Sequence, residues 1–140
     1  MYDLERIELI ISDIEKYLEK IKSMNIKFEK DLKDDLKFYA SSMLIFSTLN
    51  RLLDLCEEIV KTKKLGTPLE YKDYFEMLER AKIISEKRRK NMEWLIIIRN
   101  RLSHRYGKVN EKDIFDWIKD LKEVEDFVKD IQEEVKKNEK

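Results

Sequence analysis

Apolar residues recur three and four positions apart along most of the chain, the period of amphipathic helices. Leu4, Ile7, Ile11, Ile14, Leu18 and Ile21 form one stripe and predict a first helix from Leu4 to about Met24, broken at Met24-Asn25-Ile26. From Phe28 to Lys64 no Gly or Pro intervenes, and a long helix is predicted. It carries two stripes: Leu32, Leu36, Tyr39, Met43 and Phe46 on one side, Ile45, Leu49, Leu52, Cys56 and Ile59 roughly opposite. A helix apolar on two sides is buried on two sides. This one is therefore expected at the centre, with part of its second face under a neighbouring element or a second subunit. Asn50 falls on the first stripe, where an apolar residue is the rule. It reads as a hydrogen-bonded polar group in the core, in preference to part of a site.

Leu65-Gly66-Thr67-Pro68 ends the long helix, with Gly66 placed as its C-cap and Pro68 barring continuation. Tyr74, Phe75 and Leu78 give the apolar side of a short helix from Tyr71 to about Ala81. Ser85 is positioned to cap the next helix, which passes through Lys87-Arg88-Arg89-Lys90 and Trp94-Leu95-Ile96-Ile97-Ile98 and stops at Gly107. Asn110, with Asp113 three residues on, caps a last helix whose buried side holds Ile114, Trp117, Ile118, Leu121, Val124, Val128 and Ile131. Residues from Lys136 onward are expected to fray. No segment alternates with the period of a strand. The expectation is all-α: one domain spanning 1–140, an up-and-down bundle of about five helices.

Composition sharpens this picture. Charged residues make up 43% of the chain and Gly and Pro are scarce, as long solvated helices require. The net charge is zero, so a uniformly basic nucleic-acid-binding surface is excluded. The charge is uneven, however. Between Arg80 and Lys108 ten lysines and arginines stand against two acids, Glu86 and Glu93, a local net of +8 that would attract phosphate. The longest apolar run has five residues, far too few to span a membrane, and the acidic N-terminus is unlike a secretory leader. A cytoplasmic location is expected. Cys56 is the only cysteine and His104 the only histidine, so neither a disulfide framework nor a metal site is expected, and HExxH, CxxC, P-loop and GxSxG patterns are absent.

The chemistry concentrates in Arg99-Asn100-Arg101-Leu102-Ser103-His104-Arg105-Tyr106. Arginine steadies phosphate and histidine moves protons near neutral pH, which together suit phosphodiester cleavage. Taken singly, each residue has a structural reading: His104 at a helix C-terminus, Arg99 in an ion pair, Tyr106 as a packing aromatic. Five residues apart on a helix, Arg99 and His104 point about 140° from each other. Either the helix loosens near Ser103-His104, or the site is composite, built across a two-fold axis from two copies. A dimer would also supply the base and the acid that one histidine cannot provide together. Trp94, Ile97 and Ile98, apolar around more than one helix face, would help form its interface.

The Arg-x4-His-x-Tyr pattern, with Asn after the Arg, resembles the signature of the HEPN-domain family, specifically the HepT-like toxins paired with minimal nucleotidyltransferases (MNT). The similarity extends over roughly 39–131: a long helix with Asn50-Arg51-Leu52-Leu53-Asp54-Leu55, then Gly66-Thr67-Pro68 before a Tyr71-x2-Tyr74-Phe75 helix, a basic helix ending in the motif, and a closing amphipathic helix. The resemblance implies a helical homodimer with the motif at its interface, and a metal-independent endoribonuclease acting on RNA or tRNA. In that pattern Arg99 and His104 form the catalytic pair and Asn100 supports them. The resemblance further implies a toxin of a type VII-like toxin–antitoxin pair. A nucleotidyltransferase antitoxin would neutralise it by transferring AMP to Tyr106, where the added phosphate competes with RNA for the cationic cleft. Arg88, Arg89, Arg101 and Arg105 are further RNA-binding candidates. The alternative is a non-catalytic helical partner that binds nucleotide or RNA and is itself modified by a nucleotidyltransferase.

Overall fold

In the computed structural model, which describes residues 1–104 and 106–138, α1 (Leu4–Ser23) begins where the Asp3 carboxylate accepts the Arg6 backbone N–H at 3.1 Å. Its stripe is buried, with Ile10 joining Ile7, Ile11, Ile14, Leu18 and Ile21, while Leu4 remains partly exposed. The long helix starts later than its pattern predicts. Glu29–Lys33 forms a 3₁₀ turn and α2 runs Asp35–Thr62, because the Asp34 carboxylate caps it by accepting the Lys37 N–H. The Asp31 carboxylate accepts the N–H groups of Lys27 and Phe28, and these two bonds hold its pKa below the usual carboxylate range.

Helix α2 is the centre of the molecule. Ile45, Leu49, Leu52, Leu55, Cys56 and Ile59 have no solvent exposure. Ser41, Ser42 and Thr48 are buried beside them, each hydroxyl bonded to the carbonyl four residues back, so small polar residues sit inside without stranded donors. Ion pairs Arg6–Glu58 at 2.9 Å and Arg51–Asp13 at 3.0 Å set α1 antiparallel to α2. The other stripe is divided: Leu32 is buried and Phe46 half-buried, whereas Leu36, Tyr39 and Met43 are 81%, 57% and 62% exposed.

The end of α2 differs from expectation. Lys64, at φ 54°, takes the left-handed position, and the Leu65 N–H reaches back to the Val60 carbonyl. Gly66 lies beyond this cap at φ 137°, a conformation that only glycine adopts without strain. It turns the chain toward α3 (Tyr71–Arg80). Helix α4 (Glu86–His104) is capped by the Ser85 hydroxyl, which accepts the Arg88 N–H. Tyr106–Lys108 then forms a 3₁₀ turn containing Gly107. Asn110 caps the next helix as expected, accepting the Asp113 N–H while Asp113 accepts its own.

The predicted last helix is broken at Leu121 into α5 (Glu111–Asp120) and α6 (Lys122–Asn138). The fifth element of the bundle is thus a helix with one tightened joint, where Leu121 and Val124 donate to carbonyls three residues back. Helix α6 runs through Asn138, and Glu139 and Lys140, the end of the segment expected to fray, lie outside the described residues. Among the described residues there is no strand, and no helix is long and apolar enough to cross a membrane.

Cys56 shows how tightly the centre is closed. Burial pushes its thiol above the ordinary range, which leaves little of the reactive thiolate. Native protein is therefore expected to resist iodoacetamide at neutral pH and to label fully once unfolded in guanidinium. Rapid labelling of the native state, followed by mass spectrometry, would show that α2 is not enclosed in this way.

Candidate active site

The motif occupies the last turn and a half of α4 and the turn after it. The helix stays intact through His104, so it does not loosen before the histidine. A groove of about 740 Å³ runs between this face of α4 and the start of α3, bordered by Arg99, Asn100, Ser103 and His104 on one side and by Leu69, Tyr71 and Tyr74 on the other. It brings together three of the four expected site residues. Tyr106 lies elsewhere. It borders a second cavity of about 350 Å³ with Tyr39, Met43, Phe46 and Leu102, and Ser103 lines both cavities. Its ring lies 6.4 Å from that of Phe38 and 6.2 Å from that of Tyr39, centroid to centroid. Tyr106 is half-buried.

Arg99 is held from three elements. Its Nε donates to Asn50 Oδ1 at 2.9 Å, across from α2, and its Nη1 donates to Asn100 Oδ1 at 3.2 Å. The guanidinium carbon lies 4.8 Å from the centre of the Tyr71 ring and 5.4 Å from that of Phe46. Cation–π contacts of this kind attract the group without neutralising it. No carboxylate pairs with Arg99 among the described residues.

The other arginines of the basic stretch are engaged differently. Arg88 turns to α6, donating to Asp130 at 2.8 Å and Glu123 at 3.2 Å with Asp126 nearby, and despite partial burial these acids keep its pKa raised. Asn91 also donates to Glu123, so α4 and α6 are antiparallel. Arg89 is paired with Glu79 of α3 and with Glu93 at 2.7 Å. Arg101 donates to Asp113 at 3.2 Å and lies 5.0 Å from the Trp117 ring centre. None of these three borders the groove, and acids from α3, α5 and α6 offset part of the charge excess apparent in the sequence. Arg105 lies outside the described residues.

Two residues of the site have no such role in the sequence reading: Phe46 is an apolar stripe position on the long helix, and Tyr71 only the start of α3 and part of the Tyr71-x2-Tyr74-Phe75 pattern. Asn50, expected as a hydrogen-bonded polar group of the core, is hydrogen-bonded, and its partner is Arg99, so it belongs to the setting of the site. Of the three residues expected at a subunit interface, Trp94 and Ile97 are 42% and 51% exposed, whereas Ile98 belongs to the core. Trp94 Nε1 donates to Asp120 at the end of α5. No group of His, Cys, Asp and Glu able to hold a metal ion occurs among the described residues.

Comparison with solved structures finds the same fold at low identity. A protein in a crystal structure of a toxin–antitoxin with AMP-PNP is 18% identical, with 91% of this chain and 98% of that one covered and a TM-score of 0.84. YutE, a cytosolic protein of unknown function from Bacillus subtilis, is 20% identical, with 99% and 95% covered and a TM-score of 0.85. A chain of the tri-AMPylated Shewanella oneidensis HEPN toxin in complex with its MNT antitoxin is 20% identical, with 94% and 98% covered and a TM-score of 0.84. No curated protein matches in sequence. The sequence pattern of one family, described as ribonuclease HepT-like, matches residues 14–131, from the middle of α1 through most of α6 and including the whole motif. The chain is a member of the ribonuclease HepT-like family.

Proposed function

We propose that this protein is the toxin of a toxin–antitoxin pair, a metal-independent endoribonuclease that cuts RNA or tRNA and is neutralised by a nucleotidyltransferase. The observation that carries this reading is the state of Arg99: half-buried, fixed in plane and direction by neutral partners, and bordering the same groove as His104. An arginine kept for stability is normally given a carboxylate, as Arg51 and Arg88 are. One held by an amide and two rings keeps its charge for an external anion.

In the reaction, the ribose 2′-oxygen attacks the adjacent phosphorus as His104 takes its proton. The bond from phosphorus to the 5′-oxygen breaks, and that oxygen receives a proton from an acid. The products are a 2′,3′-cyclic phosphate and a 5′-hydroxyl. Arg99 stabilises the charge that builds on the equatorial oxygens. A two-fold homodimer supplies the acid as a second copy of His104. The exposed apolar residues Leu36, Tyr39 and Met43 of α2 and Trp94 and Ile97 of α4 support such an interface. In this reading Arg88 and Arg89 brace the bundle, and attraction of phosphate falls chiefly to Arg99.

Tyr106 is the acceptor for inactivation. Its hydroxyl attacks the α-phosphorus of ATP on the partner enzyme, pyrophosphate leaves, and an AMP phosphodiester remains. The toxin in the Shewanella oneidensis complex is tri-AMPylated, which supports AMP transfer as the modification, and the choice of Tyr106 rests on its place in the motif.

The test is cleavage of total RNA and tRNA by purified dimer in EDTA, with product ends analysed and His104→Ala alongside. Cutting that leaves 2′,3′-cyclic phosphates and disappears in the variant is expected. Unmodified, dimeric wild type that binds RNA without cutting would instead mark the protein as a non-catalytic partner and substrate of the nucleotidyltransferase.

A further inference from the structure

Asparagine is a weak helix former, and Asn50 sits in the interior of a long helix beside Leu49, which has no solvent exposure. Its amide oxygen is occupied by Arg99 Nε, donated across from α4. Phe46, one helical turn earlier on the same face, is one of the two rings against the guanidinium, and Tyr71 at the first residue of α3 is the other. The spacing of four on α2 therefore delivers an acceptor and a ring to one side of Arg99.

Arg99 has five N–H donors. One is taken by Asn50 and one by Asn100, and the Nη2 amine has no partner among the described residues. The donors that remain are those of the fork that grips a phosphate through two oxygens. Aspartate at position 50 has the same shape and would hold the Nε more strongly, as Asp13 and Asp130 hold Arg51 and Arg88. It would also cancel the charge. An amide aims the guanidinium and leaves it cationic.

We propose that Asn50 is a positioning residue. It acts through Arg99, orienting the guanidinium toward an RNA phosphate while preserving its charge, and it does not touch the substrate. The inference rests on the ribonuclease reading, which gives Arg99 its task.

Asn50→Asp is the discriminating variant, with Asn50→Leu as a control for packing. Asn50→Asp is expected to fold with a melting midpoint at or above that of wild type, because an ion pair replaces a neutral hydrogen bond. Its kcat for RNA cleavage is expected to fall about 10²-fold, in line with the cost of misdirecting a reacting group. The deficit relative to wild type should shrink as pH falls and the new carboxylate takes up a proton, since the neutral acid again accepts the hydrogen bond without cancelling charge. A structural role in packing would not produce that pH dependence. A second readout needs no catalysis: titration with a 2′-O-methyl oligoribonucleotide over a range of salt concentrations. Asn50→Asp is expected to weaken binding and to lower the salt slope by about one phosphate contact per site.

Wild-type cleavage in both Asn50→Asp and Asn50→Leu, with Arg99→Ala inactive, would overturn the positioning role and leave the ribonuclease reading standing. If wild type cuts no RNA, the ribonuclease reading fails and the oligonucleotide titration decides. Unchanged affinity and salt slope in Asn50→Asp, or no binding by wild type, would then overturn the positioning role as well.

Discussion

Phe127→Ala is expected to lower the unfolding free energy by about 3–5 kcal/mol and the thermal midpoint by roughly 10–20 °C. Phe127 of α6 and Phe75 of α3 are both fully buried, and their rings meet edge to face at 5.8 Å between centroids. The lost transfer free energy is compounded by a cavity that rigid neighbours cannot fill. Leu78, Met92, Leu95 and Val124 are also without solvent exposure, and each belongs to a helix fixed by other contacts. The aromatic pair adds about 0.5–1.5 kcal/mol beyond its area. Phe127→Leu should cost less, about 1–2 kcal/mol, because it keeps most of the volume. Urea unfolding followed by circular dichroism measures both. The contact also ties α3, which carries Tyr71, to α6. Well below its melting midpoint, Phe127→Ala is nevertheless expected to cut RNA normally, since neither cavity reaches position 127. A loss of less than about 1 kcal/mol would mean that the junction of α3 and α6 collapses into the gap, so that this corner of the core is softer than its burial implies.

What the sequence disclosed and what it withheld follow a physical division. Two helix starts are legible because a short side chain satisfies N–H groups a few residues away, at Ser85 and Asn110, whereas the equally local Asp34 cap of α2 is masked by an apolar stripe that begins before it at Leu32. The end of α2 is ambiguous in the sequence because Gly66 stands near the place of a C-cap. Lys64 takes the left-handed turn instead, leaving the glycine for a second turn two residues on. The joint at Leu121 was invisible because the apolar stripe passes through it unbroken, from Trp117 to Val124, and no Gly or Pro marks it. Phe127, now the large aromatic of the α6 core, was passed over in a stripe already filled by Val124, Val128 and Ile131.

The two-sided pattern of α2 was read correctly as two apolar faces, but periodicity alone does not say which face a chain fills by itself. The site divides in the same way. The motif was legible as chemistry because it is contiguous, whereas its electrostatics were not. The acids that engage Arg88 and Arg89 include Asp130 and Glu79, 42 and 10 residues away, and only the packing of α4 against α6 and α3 brings them close. The acceptor for Arg99 lies 49 residues upstream. A local count of charges therefore overstated the basic surface. It gave no means of telling Arg99, half-buried and without a carboxylate among the described residues, from the arginines already paired.

That distinction leads to the largest functional effect. Arg99→Lys is expected to reduce RNA cleavage by about 10²–10³-fold, nearly as far as Arg99→Ala, with little change in the melting midpoint. Lysine preserves the positive charge, so a site needing only a nearby cation would tolerate it. The geometry around Arg99 favours something narrower. Asn50 fixes Nε, Asn100 holds one Nη1 donor, and the rings of Tyr71 and Phe46 flank the planar group. An ammonium has no Nε to anchor and no plane to be held between rings, and it binds water more strongly than a guanidinium does. It would wander in the groove as a solvated point charge instead of presenting two parallel donors to the phosphorane oxygens. Single-turnover cleavage of one defined RNA, with enzyme in excess, isolates the chemical step from binding. Under those conditions the lysine variant should bind RNA nearly as well as wild type while the cleavage step slows, because bulk charge attracts the ground state and the fork serves the transition state. Retention of more than about a tenth of the wild-type rate would sink this account. The cradle of Asn50, Tyr71 and Phe46 would then be a means of burying an arginine stem, and catalysis would depend on charge alone.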